Sequence, residues 1–310
     1  MSNPRACAIG LDVGGTKIAG GVVALPSGAL LGRRVVPTDP RRGGEAVLED
    51  ALALAEGLIE LGIEQNREPL GIGIGVPELV SPSGEITSAH NFDWRNLPVG
   101  ARFERVAPAI IESDVRAAAL AEALFGAGRA FRLFAFVTVG TGISYCLVED
   151  GKPFAGARGN ALVLASGALT STCDSCGAVS TQVLEEFAAG PAIVRRYNHV
   201  VSGDARRGED VLAAVEAGDP AATAVVRSAG EALGNTIGFL VNVLDPEAVI
   251  VGGGLGQAGG LYWESLVGST HAHIWADNSR DLSILPAALG ADAGIIGAAA
   301  TIWQRRAAAP

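Results

Sequence analysis

Two short glycine turns in this sequence each follow a run of apolar residues. The first, Gly14–Thr16, comes two residues after the acidic Asp12. The second, Gly140–Gly142, contains Thr141 and comes two residues after Thr138. Glycine lets backbone amides approach phosphate oxygens closely, and threonine hydroxyls can donate further hydrogen bonds. Either turn alone is equally well explained as an ordinary hairpin, but the pair favours a polyphosphate site.

The carboxylate of Asp114 is a third candidate. It follows the short stretch 110–113 and precedes an alanine-rich stretch, so we expect it between the carboxyl end of a strand and the start of a helix. There it could accept the proton of a substrate hydroxyl that attacks a phosphoryl group. It could equally cap the helix, a role that aspartate often takes. The residues alone leave these two roles open.

Residues 254–259 match the dinucleotide pattern G-x-G-x-x-G, and Asp277 and Asp281 follow about 20 residues later, as such a site requires. This fingerprint usually opens a β-α-β unit, whereas here it comes late in the chain. A nicotinamide-dependent oxidoreductase is therefore the weaker alternative. The sequence contains no glycine-lysine loop of the Walker type, which argues against a P-loop enzyme.

Cys173 and Cys176 have the C-x-x-C spacing that can offer two thiolates to zinc. A structural zinc site needs two more ligands, and none of the four histidines is close to this pair in sequence. We therefore expect an ordinary turn without metal. Four unevenly spaced cysteines do not suggest a disulfide framework either, so a reducing cytoplasm is the expected compartment.

Periodicity places the candidate residues on an α/β framework. A glycine turn joins two strands near the start of the chain, and a second does so near the middle. Because Gly14 and Gly140 are separated by about one domain length, the sequence indicates an internal duplication. The predicted strands are 6–13, 17–24, 71–76, 109–112, 134–139, 143–148 and 248–251, and the predicted helices lie within 45–61, 116–125, 181–188, 211–243 and 293–305.

The composition limits the classes of function. The chain has 310 residues, of which 49% are hydrophobic and 18% charged, which is typical of an ordered protein with room for two domains. With 23 basic and 33 acidic residues the net charge is −10, so we expect no nucleic-acid partner. The sequence has no run of about 18 apolar residues, and we expect no membrane partner.

Several stretches, taken together, resemble the ROK family of sugar kinases and sugar-responsive repressors. They are DVGGTKI at Asp12–Ile18, ESDVRAAALAE at Glu112–Glu122, VGTGI at Val139–Ile143, DPEAVIVGGG at Asp245–Gly254 and DAGIIGA at Asp292–Ala298. The resemblance covers nearly the whole chain. It implies an α/β, actin-like and hexokinase-like (ribonuclease H-like) fold of two domains with a cleft between them. We expect residues 1–115 plus 298–310 to form a small domain and residues 116–297 a large one.

The resemblance also implies roles for individual residues. Asp114 matches the catalytic aspartate, the general base. ATP and magnesium are the implied cofactors, with the metal held through ATP near Asp12. The positions matching nucleotide and phosphate motifs are Asp12, Gly14, Gly15, Thr16, Lys17, Thr138, Gly140, Thr141, Gly142, Gly253 and Gly254. The expected substrate positions are Glu78, Asn91, Ser113, Asp114, Ser166 and Glu185.

The chain departs from the family at several substrate positions. Val163 and Ser166 stand where glucose-type members carry a glutamate and a histidine that bind sugar hydroxyls, and that histidine also ligates zinc. Ser113 stands where an asparagine usually precedes the catalytic aspartate. Glu78 stands where glycine is common. Since each lost hydrogen bond costs about 0.5–1.5 kcal/mol, we expect plain glucose to bind poorly.

These departures make a modified sugar or a cyclitol the expected acceptor. The family's third cysteine is missing beside Cys173 and Cys176, so zinc is not expected. A degenerate kinase-like sugar-binding protein is the main alternative. Repressors of the family carry a DNA-binding arm before the first phosphate motif, and only 11 residues precede Asp12, so we do not expect one here. Family members are often dimers or tetramers, and we expect a homo-oligomer.

Overall fold

The fold combines two five-stranded sheets with helices, in the α/β class that the sequence predicts. A computed structural model describes residues 5–172 and 174–307. The strands are β1 (Ala6–Val13), β2 (Lys17–Ala24), β3 (Leu30–Pro37), β4 (Glu68–Val76), β5 (Ala109–Ser113), β6 (Leu133–Val139), β7 (Ile143–Glu149), β8 (Lys152–Pro153), β9 (Ala168–Thr172), β10 (Val179–Val183), β11 (Ala248–Gly252) and β12 (Ser283–Pro286). The α-helices are α1 (Gly44–Glu64), α2 (Val99–Glu104), α3 (Asp114–Phe125), α4 (Leu184–Ala188), α5 (Gly190–Val201), α6 (Gly208–Glu216), α7 (Pro220–Leu244), α8 (Gly260–His273) and α9 (Ala293–Ala307).

The two large sheets share one topology. The first has the strand order β3-β2-β1-β4-β5, with an antiparallel β1–β2 hairpin and β4 and β5 added in parallel beside β1. The second has the order β12-β11-β6-β7-β8, with β11 parallel to β6 and β12 parallel to β11. In each, the first strand lies at the centre, the next two extend to one side and the later two to the other. This repeated order confirms the predicted duplication.

The chain divides into two compact units. Unit 1 comprises Met1–Arg132, Cys146–Leu162 and Ala291–Pro310, and unit 2 comprises Leu133–Tyr145 and Val163–Gly290. These bounds differ from the domains expected at 1–115 with 298–310 and at 116–297, because α3 and all of α9 belong to unit 1. The domain assignment itself stays a prediction.

Two glycines let α9 lie directly on the first sheet. A Cβ on Gly10 of β1 would stand 1.9 Å from the carbonyl oxygen of Ile295, and one on Gly73 of β4 would stand 1.7 Å from that of Ala298. No larger residue fits at these two positions without moving the helix. The contact brings the N-terminal end of α9 over the carboxyl end of β1, where Asp12 lies.

Most of the predicted elements are present, but one predicted helix is wrong in its first half. Residues 181–183 belong to β10, where Thr181 pairs with Thr170 of β9, and the helix begins only at Leu184. The alternating pattern of this segment favours a strand once a partner strand lies beside it. The predicted helical region 211–243 is two helices, because Asp219 caps α7 and Pro220 opens it. No helix in the described part of the chain is long and apolar enough to cross a membrane.

Candidate active site

Asp12 and Asp114 lie at the same edge of the first sheet. Asp12 is near the carboxyl end of β1 and pairs with Gly75 of β4, which in turn pairs with Glu112 of β5. Asp114 follows β5 directly. A Cβ on Gly75 would lie 3.7 Å from the Cα of Asp114, so this glycine separates the two aspartates. The carboxyl ends of parallel strands are the usual ligand site of an α/β sheet.

The pKa values of Asp12 and Asp114 are both raised, and the charge of Asp12 contributes to the shift of Asp114. Burial is the main cause that raises the pKa of Asp114 to about 7, and the negative charges of Asp12 and Glu78 add to it, while Arg116 opposes it. Burial also raises the pKa of Asp12, and the nearby Lys17 opposes that shift. A carboxyl group that titrates near neutral pH suits proton transfer.

Asp114 does not cap helix α3. The cap is Ser113, whose Oγ accepts a hydrogen bond from the backbone N–H of Arg116 at 3.4 Å. Asp114 is the first helical residue, and its Oδ1 accepts from the adjacent N–H of Val115 at 2.7 Å. The capping alternative is therefore wrong, since the neighbouring serine fills that role.

The first glycine turn closes on itself beside Asp12. The N–H of Gly14 donates to the carbonyl of Lys17 at 2.9 Å. A Cβ on Gly15 would lie 3.9 Å from the Oδ1 of Asn91, so the predicted substrate residue Asn91 is next to this turn. A Cβ on Gly294, close to the start of α9, would lie only 2.7 Å from the Asp12 carboxylate.

Glu78 is buried and bonded to a loop rather than pointing to open space. Its carboxylate accepts from the hydroxyl of Ser88 and from the backbone N–H groups of His90, Asn91 and Phe92. Burial alone would raise its pKa, but these hydrogen bonds outweigh burial and hold the pKa of Glu78 below its ordinary value. Glu78, which the sequence predicts as a substrate residue, is thus bonded to the loop that contains Asn91.

Arg116 is a residue of this site that the sequence reasoning missed. It is 1% exposed and forms an ion pair with Glu112 at 2.5 Å. Its two terminal nitrogens donate to the carbonyls of Gly159 and Val80 at 2.7 and 2.6 Å. Arg116 therefore ties α3 to two separate loops. An arginine inside an alanine-rich helix beside Asp114 was the available signal.

In unit 2, Glu185 lies against the second glycine turn. Its Oε2 accepts from the N–H of Ile143 at 2.8 Å, and a Cβ on Gly142 would lie 2.7 Å from the same oxygen. The N–H of Gly190, at the start of α5, donates to the carbonyl of Gly140 at 2.9 Å. Glu186 is exposed, so Glu185 is the glutamate that meets the turn.

The loop after β11 lies on the same turn. Gly253 has φ +82, and a Cβ there would stand 2.3 Å from the carbonyl oxygen of Val139, which precedes the turn. That oxygen accepts from the N–H groups of Leu255 and Gly256 at 3.1 and 3.2 Å. Thr138 pairs with Gly252 across β6 and β11. The predicted nucleotide residues of unit 2, which are Thr138, Gly140, Thr141, Gly142, Gly253 and Gly254, are therefore neighbours.

Val163 and Ser166 are both exposed in unit 2. The carbonyl of Ala165, between them, accepts from the N–H of Glu185 at 3.1 Å, so this segment lies beside the predicted sugar residue Glu185. Valine offers no hydrogen bond here, and serine offers a single short hydroxyl. The side chains of Val163 and Ser166 therefore offer little hydrogen bonding beside Glu185.

Of the two cysteines considered for zinc, Cys173 lies outside the described residues. Cys176 is exposed with a free thiol. Within residues 5–172 and 174–307, no three His, Cys, Asp or Glu side chains are grouped as a metal site would need. For magnesium, the carboxylate oxygens of Asp12 are the ligand type that this ion prefers, and an ion held partly by phosphates needs only one or two such groups. The donor set at the first turn fits that arrangement.

The G-x-G-x-x-G segment occupies a position that is partly typical of a dinucleotide site. Residues 254–259 do lie between β11 and α8, and β12 continues in parallel beside β11. However, Asp277 and Asp281 both precede β12, whereas the acid that binds a ribose belongs at the carboxyl end of that second strand. The geometry therefore disfavours a nicotinamide site.

Comparison with known proteins extends these observations to the whole chain. The ROK family model matches residues 8–305. The glucokinase of Streptomyces coelicolor is 32% identical, over 94% of this chain and 96% of its own. A ROK family glucokinase from Streptomyces griseus, solved with glucose and AMPPNP, has a TM-score of 0.81 at 30% identity and covers 96% of this chain and 99% of that one.

A ROK hexokinase from Thermus thermophilus has a TM-score of 0.80 at 31% identity, with 98% of this chain and all (100%) of that chain covered. These likenesses confirm the expected α/β fold of the actin-like, hexokinase-like class. The matched range contains both glycine turns, Asp114 and the loop after β11. The chain belongs to the ROK family.

Proposed function

We propose that this protein is an ATP-dependent kinase that phosphorylates a hydroxyl of a sugar or a sugar-like polyol, with Asp114 as the general base. The observation that carries this proposal is the position of Asp114 at the carboxyl end of β5, one strand removed from Asp12. Its raised pKa, about 7, suits a group that takes up a proton at neutral pH. The nucleotide analogue in the Streptomyces griseus relative supports ATP as the donor.

In the proposed reaction, Asp114 accepts the proton of the acceptor hydroxyl as the hydroxyl oxygen bonds to the γ-phosphorus. The bond from that phosphorus to the β–γ bridging oxygen breaks, and ADP leaves. Amides of the first glycine turn would bind phosphate oxygens, and Lys17, whose positive charge acts on Asp12, would add a cation beside them. Asp12 would hold magnesium, which supplies further neutralisation of phosphate charge when bound.

The acceptor that we propose is not plain glucose. Val163 and Ser166 replace a carboxylate and an imidazole in the segment beside Glu185, so hydrogen bonds to two or three hydroxyls are missing. A modified sugar or a cyclitol presents a different hydroxyl pattern and would not need them. We propose a homo-oligomer in the cytoplasm with magnesium and without zinc.

A panel of acceptors tests the proposal. The protein is mixed with ATP, magnesium and one of glucose, N-acetylmannosamine, fructose, allose or a cyclitol, and ADP release is measured. We expect phosphorylation of at least one of the other acceptors well above that of glucose. Efficient glucose phosphorylation overturns the acceptor assignment. Binding of a polyol without transfer to any acceptor indicates the alternative, a degenerate sugar-binding protein.

Asp114→Asn tests the base. We expect turnover to fall by about 10²–10⁴-fold, which is the usual contribution of general base catalysis. Affinity for ATP, measured by calorimetry, should stay nearly unchanged because the phosphate turns are intact. Glu104→Gln, an exposed carboxylate at the end of α2, is the matched control and should retain full turnover. Full activity of Asp114→Asn would refute the assignment.

A further inference from the structure

The carboxylate of Glu78 is a buried charge that is balanced by hydrogen bonds and not by a cation. The side chain is 4% exposed. In the part of the chain that the structure describes, no ion pair is formed by Glu78, and backbone N–H groups and one hydroxyl supply its donors. An ionised carboxylate has about four acceptor sites. All four are taken, so none is left for a substrate.

The donors come from one short loop. Glu78 Oε1 accepts from the N–H of Asn91 at 2.5 Å and from that of Phe92 at 3.0 Å. Its Oε2 accepts from the N–H of His90 at 2.9 Å and from the Ser88 hydroxyl. This hydroxyl also accepts from the N–H of Leu79 at 2.8 Å. The loop 88–92 is therefore fixed through one side chain.

The loop 88–92 places Asn91 beside the first glycine turn, Gly14–Thr16. The Nδ2 of Asn91 donates to the carbonyl of Pro77 at 2.9 Å, which turns its Oδ1 towards Gly15, 3.9 Å from where a Cβ would be. Asn91 is exposed, so its carboxamide is available to a ligand. The negative charge of Glu78 also acts on Asp114. The loop thus lies within the same group of residues as the proposed base.

We propose that Glu78 is a positioning residue: it holds the loop 88–92 so that Asn91 is presented to the acceptor beside the first phosphate turn. This inference rests on the proposed kinase function. It changes the role expected of Glu78 from direct contact with the acceptor to support of the residue that makes the contact. A chain with glycine at this position would have to hold the loop by other means.

Glu78→Gln tests the inference with little change in shape. The amide keeps one acceptor oxygen but places an NH₂ group against backbone N–H donors, so the loop should loosen. With the acceptor identified by the panel, we expect its KM to rise about tenfold or more while the KM for ATP changes less than about twofold. Glu85→Gln, an exposed carboxylate of the same segment, is the control and should change neither.

A double-mutant cycle separates positioning from general damage. Asn91→Ala should raise the acceptor KM to a similar extent, and Glu78→Gln with Asn91→Ala should be no worse than either alone. Additive effects would show that Glu78 acts independently of Asn91 and would overturn the inference. Ser88→Ala, which removes a single donor, should give a smaller effect of the same kind and serves if Glu78→Gln does not fold.

Amide hydrogen exchange reads the loop without any enzyme assay. In Glu78→Gln, the amides of His90, Asn91 and Phe92 should exchange at least about tenfold faster than in the wild type, with exchange in β1 unchanged. Unchanged exchange at these three amides contradicts the inference. If the wild type phosphorylates no polyol, the proposed function is wrong, and so is the proposal that Glu78 positions Asn91 for an acceptor. Amide exchange still shows whether Glu78 holds the loop 88–92.

Discussion

The carboxylates of Asp12 and Asp114 face the same edge of one sheet, and the negative charge of Asp12 raises the pKa of Asp114. Asp12 lies on β1 and Asp114 directly follows β5, with Gly75 of β4 between them. Adjacent strands are about 4.8 Å apart, so with β4 between them the two half-buried acids lie close enough for their charges to interact. In the proposed function, Asp12 would hold magnesium, and Asp114, with a pKa of about 7, would take up the proton.

The first prediction concerns the pH dependence of turnover. Because Asp114 must be ionised to accept a proton and its pKa is about 7, kcat/KM should rise with pH through about 7 and then level. Steady-state kinetics between about pH 5 and 9, at saturating magnesium, measures this rise. A profile that is flat through neutrality would contradict the role of Asp114.

Asp12→Asn should move this limb to lower pH. The variant removes one of the two negative charges that raise the pKa of Asp114, although burial, the larger cause, remains. Turnover should also fall, since Asp12 is the proposed magnesium ligand, but the midpoint of the residual activity is a separate measurement. In the control Glu104→Gln, an exposed acid, the midpoint should stay where it is in the wild type.

A third prediction concerns stability. The pKa of Asp114 is about 7 in the folded protein and 3.8 ordinarily, so the folded state holds a proton that the unfolded chain releases between these values. The stabilising contribution is complete below 3.8 and is lost as pH rises through about 7. In Asp114→Asn the side-chain amide does not titrate, so this pH-dependent loss of stability does not occur.

The free energy of unfolding, measured in urea, should therefore favour Asp114→Asn increasingly with pH. The difference between the variant and the wild type should grow by about 1.4 kcal/mol per pH unit up to about pH 7 and then stay constant. Other titrating groups are the same in both proteins and cancel. If the difference in free energy of unfolding between the two proteins does not vary between about pH 5 and 8, Asp114 is ionised in the folded wild type over that whole range, and the prediction is wrong.

The packing of α9 on the first sheet gives a fourth prediction. In Gly73→Ala, the new methyl group would stand 1.7 Å from the carbonyl oxygen of Ala298, so the helix must move. We expect a loss of about 1–3 kcal/mol or more in the free energy of unfolding. Gly75→Ala, on the same strand, meets nothing closer than 3.4 Å and is the matched control. Equal stability of the two variants would show that α9 is not held by this contact.

Local patterns were enough to predict the elements that carry the site. Apolar runs followed by glycine predict the hairpins, and the change from an apolar stretch to an alanine-rich one predicts Asp114 between a strand and a helix. The division of labour between Ser113 and Asp114 was not predictable, because capping depends on a side-chain rotamer and a difference of one residue decides it. The strand at residues 179–183 depends on pairing with β9, which a local pattern does not contain.

The supports of the site were the harder part to predict. Arg116 bonds to the carbonyls of Val80 and Gly159, which are 36 and 43 residues away in sequence. Glu78 bonds to amides 12 to 14 residues away. Backbone carbonyls and amides are present at every residue, so no residue type marks these partners. The fold must bring the segments together before the side chain's role becomes visible.

The fifth prediction returns to the acceptor. Val163→Glu with Ser166→His introduces, in the segment beside Glu185, the residue types that the family resemblance implies for glucose-type members. Both native side chains are exposed, so the larger replacements need not disturb a core. A charged hydrogen bond contributes about 1.5–3 kcal/mol, so we expect kcat/KM for glucose to rise at least about tenfold.

The same double variant should lose efficiency with the natural acceptor, because a pocket that matches one hydroxyl pattern leaves polar groups unpaired against another. The ratio of the two kcat/KM values is therefore the quantity to measure. Asp114→Asn in this background should lower both activities by about 10²–10⁴-fold. If the ratio does not change, the altered segment does not select the acceptor.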